Sequence, residues 1–228
     1  MSVISGEGWL KDGERLSGDR GRRRRRRPEE AERTILAAAR AFLQEHPFRE
    51  MTVEGVMIRT GLSRPAFYAY FKDRYDVLTR LLEGIGGLLF ALDWRWLSGT
   101  VEGEGGGARE VLIDALRAGS ETFVEYGPVL RAISDAAGND ARVEEMYRYG
   151  LIERLVVAVA GRIARDVEAG VTPAGTDPEQ TARALVLMTE RFLLDAFGRT
   201  ESHPLRAEQA AIFDTLEEIW VRTLYGPV

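Results

Sequence analysis

Residues 61–74, Gly-Leu-Ser-Arg-Pro-Ala-Phe-Tyr-Ala-Tyr-Phe-Lys-Asp-Arg, constrain the fold more than any other segment of the chain. Gly61 can adopt the left-handed conformation that closes a preceding helix. Ser63 is typical of a helix N-cap, and Pro65 then falls in the first turn, where a missing N–H costs little. Asp73 is suited to cap the next helix. The pattern predicts a tight turn and a short helix whose polar N-terminus suits a DNA major groove.

The rest of the sequence also predicts helices, without a persuasive strand alternation or an internal repeat. Pro28 and the acidic residues after it open the first helix, and a fourth helix is predicted from Asp73 towards Leu97. Glycine, proline, asparagine and aspartate mark the later breaks. The later helices are expected at 108–126, 128–137, 140–169, 178–197 and 204–225. We therefore predict an all-α protein of about nine helices, a three-helix head and a larger body.

Charge divides the chain unevenly and suggests where its domains begin. Residues 1–27 carry nine basic and four acidic side chains, a balance of +5. Because the net charge of the whole chain is −5, the other residues together carry −10. This segment has few apolar residues and is expected to be a disordered, arginine-rich arm. We predict a DNA-binding domain at 28–75 and a ligand-binding and dimerisation body at 76–228. A local positive arm on an acidic body is compatible with DNA binding.

Composition also excludes several classes of protein. The chain of 228 residues has no cysteine, which rules out disulfides and thiolate metal sites, and only two histidines. It has no apolar run long enough to span a bilayer and no apolar core typical of a signal peptide. We therefore expect a cytoplasmic protein without a metal, a cofactor or a membrane partner.

The helix-turn-helix residues resemble the TetR family of bacterial repressors. The residues that carry the resemblance are Gly61, Leu62, Ser63, Tyr68, Tyr70, Phe71 and Arg74, preceded by Thr52-Val53-Glu54-Gly55-Val56. Met57 and Thr60 stand where that family usually has alanine, and Arg74 replaces its usual lysine. The segments 187–191 and 219–226 are similar to the EthR branch of the family. The resemblance implies a bacterial DNA-binding regulator, a homodimer and a ligand pocket in the body.

Two sets of residues are predicted to contact DNA. Base edges would be met by the N-terminal end of the recognition helix, namely Ser63, Arg64, Pro65, Ala66 and Tyr68. The resemblance implies phosphate contacts from Thr52, Tyr68, Tyr70 and Arg74, although either tyrosine can instead pack in the head core. Phe67 and Phe71, four residues apart, are predicted to be core. Arg25, Arg26 and Arg27 end a run of six arginines that can enter a minor groove; the alternative is a solvated tail.

The body is predicted to supply a dimer face and a ligand cavity. Apolar residues occupy nearly the whole circumference of the helix at 178–197, so a partner chain is expected to cover one side of it. The alternative is burial within one chain. The resemblance implies an elongated apolar cavity, whose amide-bearing positions appear here as Val186 and Thr189. The predicted ligand-binding residues are Trp94, Phe123, Met146, Val186, Thr189, Phe192 and Trp220, although aromatics at helical spacing are usually core.

These features favour a transcriptional regulator, most simply a repressor that a small, mostly apolar ligand releases from a near-palindromic operator. A helical scaffold or ligand-binding protein without sequence-specific DNA binding is the alternative. An enzyme is not expected, because the sequence has no thiol, no paired histidine site and no phosphate-binding glycine loop. Gly84, Gly86 and Gly87 would make the fourth helix a hinge between head and body, or else allow a neighbouring helix to approach closely.

Overall fold

Helices form every regular element that the structure describes. The computed structural model describes residues 28–91, 95–98, 107–200 and 204–226, and no strand occurs among them. The first helix, α1 (Pro28–Glu45), has Glu29 and Glu30 in its first turn, where the helix dipole favours negative charge. Its apolar face, including Ile35, Ala39 and Leu43, is buried. The predicted all-α fold is confirmed.

The head continues with a 3₁₀ turn at Phe48–Glu50, α2 (Val53–Thr60) and α3 (Arg64–Tyr68). Gly61 closes α2 at φ 66° and ψ 12°, in the left-handed region that was predicted. The prediction for Ser63 is wrong in one respect: it occupies the N-cap position of α3, but its side chain makes no capping hydrogen bond. Phe67 and Phe71 are each 1% exposed and pack with ring centroids 5.4 Å apart, as core.

Helix α4 (Arg74–Ala91) joins the head to the body. Asp73 caps it by accepting the backbone N–H groups of Tyr75 and Asp76, each at 2.9 Å. The structure describes α4 as far as Ala91 and a short helix, α5, at Arg95–Ser98. The predicted continuation of α4 towards Leu97 crosses residues 92–94, which lie outside the described residues.

The body contains one long helix where two were predicted. Helix α6 (Gly107–Ala137) runs through Gly127 and Pro128 without a break. A proline inside a helix removes one N–H and usually breaks or kinks it. Here both residues are buried, and Gly127 lies directly against the backbone of Phe197 in a neighbouring helix. Tertiary packing has therefore overridden the local break signal.

The remaining helices follow the predicted spans. Helix α7 (Ala141–Glu144), a π-helical segment (Glu145–Glu153) and α8 (Arg154–Glu168) are contiguous and form one rod. Helix α9 (Pro178–Phe197) begins at Asp177, which accepts the N–H groups of Glu179 and Gln180, and α10 (Arg206–Tyr225) ends the described chain. Counting the rod once, the described residues contain nine helices, as predicted.

One continuous apolar core extends from α1 to α10. Helix α9 packs against both α6 and α8. Helix α1 of the head and the connecting helix α4 pack against α6. Arg40 donates to the Glu125 carboxylate and Gln44 to the Glu125 carbonyl, both at 2.9 Å, which fixes α1 on α6. Because the core is continuous between head and body, the predicted domain boundary between residues 75 and 76 stays a prediction. None of the described helices is long and apolar enough to cross a membrane.

Candidate DNA-binding surface and ligand cavity

The N-terminal end of α3 forms an exposed polar surface. Ser63, Arg64 and Pro65 are exposed, Ala66 is half-buried, and the Tyr68 side chain is half exposed. The Arg64 guanidinium lies 3.4 Å from the Tyr68 hydroxyl and 5.8 Å from its ring centroid. The hydrogen bond to Tyr68 raises the pKa of Arg64, a side chain that is charged at any ordinary pH. The arrangement offers a charged donor and a hydroxyl on one short, protruding helix.

The predicted phosphate contacts lie in more varied surroundings. Thr52 is exposed and caps α2 by accepting the Gly55 N–H at 3.0 Å, whereas Tyr70 is half-buried against the core. Arg74 already has protein partners: it donates to the Met51 carbonyl at 3.1 Å and lies 4.7 Å from the Phe48 ring centroid. Arg74 therefore stabilises the head as well as being a candidate for a phosphate. Arg25, Arg26 and Arg27 lie outside the described residues.

An apolar cavity of about 110 Å³ lies in the body and is lined by side chains of α4, α5, α6, the rod, α9 and α10. The π-helical segment contributes three side chains to the lining of the cavity, those of Tyr147, Leu151 and Ile152. Segments of π-helix are frequent at functional sites. The other lining residues are Leu89, Trp96, Leu112, Ala115, Leu116, Gly119, Ser120, Phe123, Leu130, Leu155, Val159, Val186, Thr189, Glu190, Leu193 and Trp220.

Four of the seven predicted ligand residues line this cavity: Phe123, Val186, Thr189 and Trp220. Two others do not. Phe192 is 38% exposed and lies on the outer side of α9, whereas Val186, Thr189, Glu190 and Leu193 are the residues of α9 that line the cavity. Met146 packs against the core, while Tyr147, the next residue, turns to the cavity. Trp94 lies outside the described residues.

The polar groups of the cavity wall are hydrogen-bonded to one another. The Trp220 indole N–H donates to the Thr189 hydroxyl at 2.9 Å, and the Tyr147 hydroxyl donates to the Glu190 carboxylate. Tyr147 is only 9% exposed. Burial, and then the nearby charge of Glu190, raise the pKa of Tyr147 above its usual range, so the phenol stays protonated.

Tyr147, Glu190 and Trp96 line the cavity but are not among the predicted ligand-binding residues. A helix of ordinary period does not bring Tyr147, Leu151 and Ile152 to one wall as the π-helical segment does, and no sequence signal marks that segment. Trp96 is 1% exposed and lines the cavity from α5, where its indole N–H donates to the Tyr225 hydroxyl at 2.8 Å. A helix of four residues carries too little periodicity to be recognised.

A buried ion pair holds α5 beside the cavity. Arg162 and Asp166, one turn apart on α8, are 5% and 6% exposed, and Arg162 donates to Asp166 at 2.8 Å. Arg162 also donates to the Trp96 carbonyl, and the Tyr225 hydroxyl donates to Asp166 at 3.3 Å. These bonds join α5, α8 and α10 behind one wall of the cavity.

Helices α9 and α10 also present apolar side chains outward. Leu187, Phe192 and Ile219 are 43%, 38% and 37% exposed. They lie on the two helices for which a partner chain was predicted. Among the described residues, no group of histidine, aspartate and glutamate is arranged to hold a metal ion.

Two family profiles match the chain. The profile described as "Bacterial regulatory proteins, tetR family" matches residues 35–81, and "Transcriptional regulator EthR, C-terminal domain" matches residues 112–226. The chain is 30% identical over 210 residues to the HTH-type transcriptional regulator EthR of Mycobacterium tuberculosis, covering 91% of this chain and 93% of the relative. It is 27% identical over 208 residues to the regulator of that name from Mycolicibacterium smegmatis, covering 91% and 92%.

Solved structures share the fold at lower identity. Salmonella enterica GusR aligns with a TM-score of 0.66 at 18% identity, covering 87% of this chain and 97% of its own. NalD of Pseudomonas aeruginosa, described as the secondary repressor of the MexAB-OprM multidrug efflux pump, aligns with a TM-score of 0.66 at 16% identity, covering 87% and 98%. At these identities the similarity supports the fold alone.

Proposed function

Because this chain belongs to the TetR family of bacterial regulators and has an EthR-type C-terminal domain, we propose that it is a ligand-released repressor. The chain is a DNA-binding transcriptional regulator and not an enzyme. The proposal adds that it binds a near-palindromic operator as a homodimer and that a small, mostly apolar molecule in the body cavity releases it.

One observation carries the proposal: a single helix connects the DNA-binding surface to the cavity. Helix α4 begins at Arg74, directly after the recognition helix, and its Leu89 side chain lines the cavity near the other end. A ligand that changes the shape of the cavity therefore acts on the helix that carries the head. In a dimer, two recognition helices must lie roughly 34–36 Å apart to read half-sites one DNA turn apart. A small rotation of α4 would alter that separation.

The homodimer is supported by the outward apolar side chains of α9 and α10. Leu187, Phe192 and Ile219 would form the centre of a twofold interface, in which the same patch of both copies meets. Phe192→Glu should shift the protein from dimer to monomer in analytical ultracentrifugation, because it buries a charge without a partner. Val157→Glu is the matched control, since Val157 is 69% exposed on α8. Dimers that survive Phe192→Glu together with Leu187→Glu would refute this interface.

The operator proposal is tested by a mobility shift on the chain's own promoter region. A retarded band that unlabelled promoter DNA competes away, and shuffled DNA of the same composition does not, is the expected result. Equal competition by both duplexes would favour the alternative, a helical scaffold or ligand-binding protein without sequence-specific DNA binding. The exposed Ser63, Arg64 and Pro65 favour the operator proposal. The arm with Arg25, Arg26 and Arg27 would add affinity by releasing counterions rather than by reading bases.

A further inference from the structure

The cavity has an acidic side chain without a basic side chain beside it. Glu190 is the one charged residue among the described residues that line the cavity. Its carboxylate accepts a hydrogen bond from the Tyr147 hydroxyl, and no described arginine, lysine or histidine lies within ion-pair distance of it. Glu190 is half-buried, and a carboxylate beside apolar surface is stabilised when a cation or several hydrogen-bond donors compensate it.

Two hydrogen-bond donors of the wall are already used, while Ser120 and Thr189 also contribute hydroxyl groups to it. The Trp220 indole N–H donates to the Thr189 hydroxyl, and the Tyr147 hydroxyl donates to the Glu190 carboxylate. A carboxylate has about four acceptor positions, so one bond from Tyr147 leaves most of its capacity open. What the cavity offers a ligand is therefore an almost wholly apolar surface, with Glu190 as the one charged residue among the described residues that line it.

We propose that the cavity selects a cationic amphiphile, an alkyl or arylalkyl ammonium whose N–H groups donate to Glu190 while its hydrocarbon part fills the apolar space. The proposal rests on the proposed function, since it names the chemistry of the releasing ligand. An organic carboxylate would meet repulsion at Glu190, and a neutral alcohol would gain only an uncharged hydrogen bond. The positive charge also compensates Glu190, which no described basic residue does.

Three probes with the same hydrocarbon part separate these possibilities: hexylammonium, 1-hexanol and hexanoate. Apolar cavities of about 150 Å³ bind benzene, so a chain of six carbons is a suitable size for this cavity. Their dissociation constants for the full chain are measured by calorimetry at pH 7. Hydrogen bonds to charged groups are worth about 1.5–3 kcal/mol, so hexylammonium should bind about 10- to 100-fold more tightly than 1-hexanol. Hexanoate should bind most weakly.

Glu190→Gln tests the residue. It should abolish the preference for hexylammonium over 1-hexanol, while Asp195→Asn, which removes the same charge from an exposed position on α9, should keep it. The ranking of the probes on the unaltered protein is independent of whether Glu190→Gln folds. Hexanoate binding as tightly as hexylammonium, no saturable binding of hexylammonium, or a preference that survives in folded Glu190→Gln would each overturn the proposal.

Operator binding is measured on the same samples without a probe. Specific DNA binding without an ammonium preference overturns this inference and leaves the proposed function standing. An ammonium preference without specific DNA binding supports this inference and overturns the proposed function. Release of the operator by hexylammonium, at concentrations about 10- to 100-fold below those of 1-hexanol, is the result expected if both are correct.

Discussion

Arg64 is the side chain on which recognition of the operator's base sequence is predicted to depend most. It lies exposed in the first turn of α3, and its only described partner is the Tyr68 hydroxyl at a long 3.4 Å. An arginine in this position can donate two hydrogen bonds to a guanine edge. Arg64→Ala should therefore lose about tenfold to a hundredfold in affinity for the operator and relax the preference at one base pair. A panel of operators that differ at single positions measures this.

Arg74→Ala is the comparison for that experiment. The Arg74 guanidinium holds the Met51 carbonyl and lies over Phe48, so its loss should destabilise the head and weaken binding to all duplexes alike. If Arg64→Ala also weakened operator and random DNA equally, Arg64 would be a phosphate contact and the base-reading prediction would be wrong.

Most residues that act on their own local backbone were predictable from the sequence, with the capping bond of Ser63 as the exception, and residues that act across the fold were not. The left-handed Gly61 and the caps at Asp73 and Asp177 depend only on neighbouring residues. By contrast, the hydrogen bond between Tyr147 and Glu190 joins positions 43 residues apart. Nothing in the local sequence marks such a pair, because the two helices meet only through tertiary packing.

At the scale of helices, Gly127 is predicted to set how closely α6 and α9 approach. A Cβ at this position would collide with the backbone of Phe197, which cannot move aside as a flexible side chain can. Gly127→Ala should destabilise the protein by about 1–3 kcal/mol, the usual cost of overpacking. Chemical denaturation followed by circular dichroism measures the change.

Gly119→Ala, in the same helix α6, is the matched control. Gly119 lines the cavity, and a Cβ built there would meet no neighbouring heavy atom of the described residues within 4 Å. This variant should be more stable by about 0.5–1 kcal/mol, because alanine loses less backbone entropy in a helix. If the two variants changed stability in the same direction, the close approach at Gly127 would not determine the packing of α9.

Gly86 is predicted to weaken α4 without serving close packing. Among the residues that the structure describes, none would lie within 4 Å of a Cβ at Gly86 or Gly87, which favours the hinge over the alternative of a closely packed helix at these two positions. Gly86→Ala should stabilise the protein by about 1 kcal/mol through helix propensity. Operator affinity without ligand should stay unchanged, while more ligand should be needed for release. Unchanged stability and an unchanged ligand response would contradict the hinge.

The helices themselves were largely predictable, but their continuity was not. Periodic apolar positions and caps located α1, α9 and α10 within a few residues. The break expected at Gly127-Pro128 is absent, because packing against α9 outweighs the local cost of proline. The π-helical segment that lines part of the cavity was not predicted either. Its backbone hydrogen bonds span five residues where those of an α-helix span four, and the apolar pattern of the sequence is compatible with both.

For the whole molecule, signalling requires that head and body move as connected parts. Besides α4 and the bonds of Arg40 and Gln44, one ion-pair cluster joins them. Arg142, at the start of the rod, donates to Asp73 at 2.8 Å and to Asp140 at 2.7 Å. Asp73 caps α4 and Asp140 caps α7, so a single guanidinium links the first turns of two helices. The position of the head relative to the body should therefore depend on Arg142.

Arg142→Ala should loosen the head and shift acid unfolding to higher pH. Burial alone would raise the pKa of Asp73, but the Asp76 N–H and the Arg142 guanidinium lower it further than burial raises it. Because the pKa of Asp73 is lowered in the folded state, its stabilisation is present above the unfolded value near 3.9 and is lost as pH falls through the folded value. The variant should thus be less stable at pH 5–7, by at most about 1 kcal/mol for so exposed a pair, and should differ little in strong acid.

The control for this prediction is Arg148→Ala, because Arg148 pairs at 3.6 Å with Glu144 of its own rod and with no described residue of the head. Acid unfolding of both variants is followed by circular dichroism from pH 2 to 7, and operator affinity is measured at pH 7. Only Arg142→Ala should move the acid midpoint and weaken the operator complex, since only that variant frees the head. Its effect should shrink in about 1 M salt, where the Debye length is about 3 Å. Equal shifts in the two variants would mean that Arg142 merely caps its own helix, and that α4 alone carries motion from the cavity to the DNA.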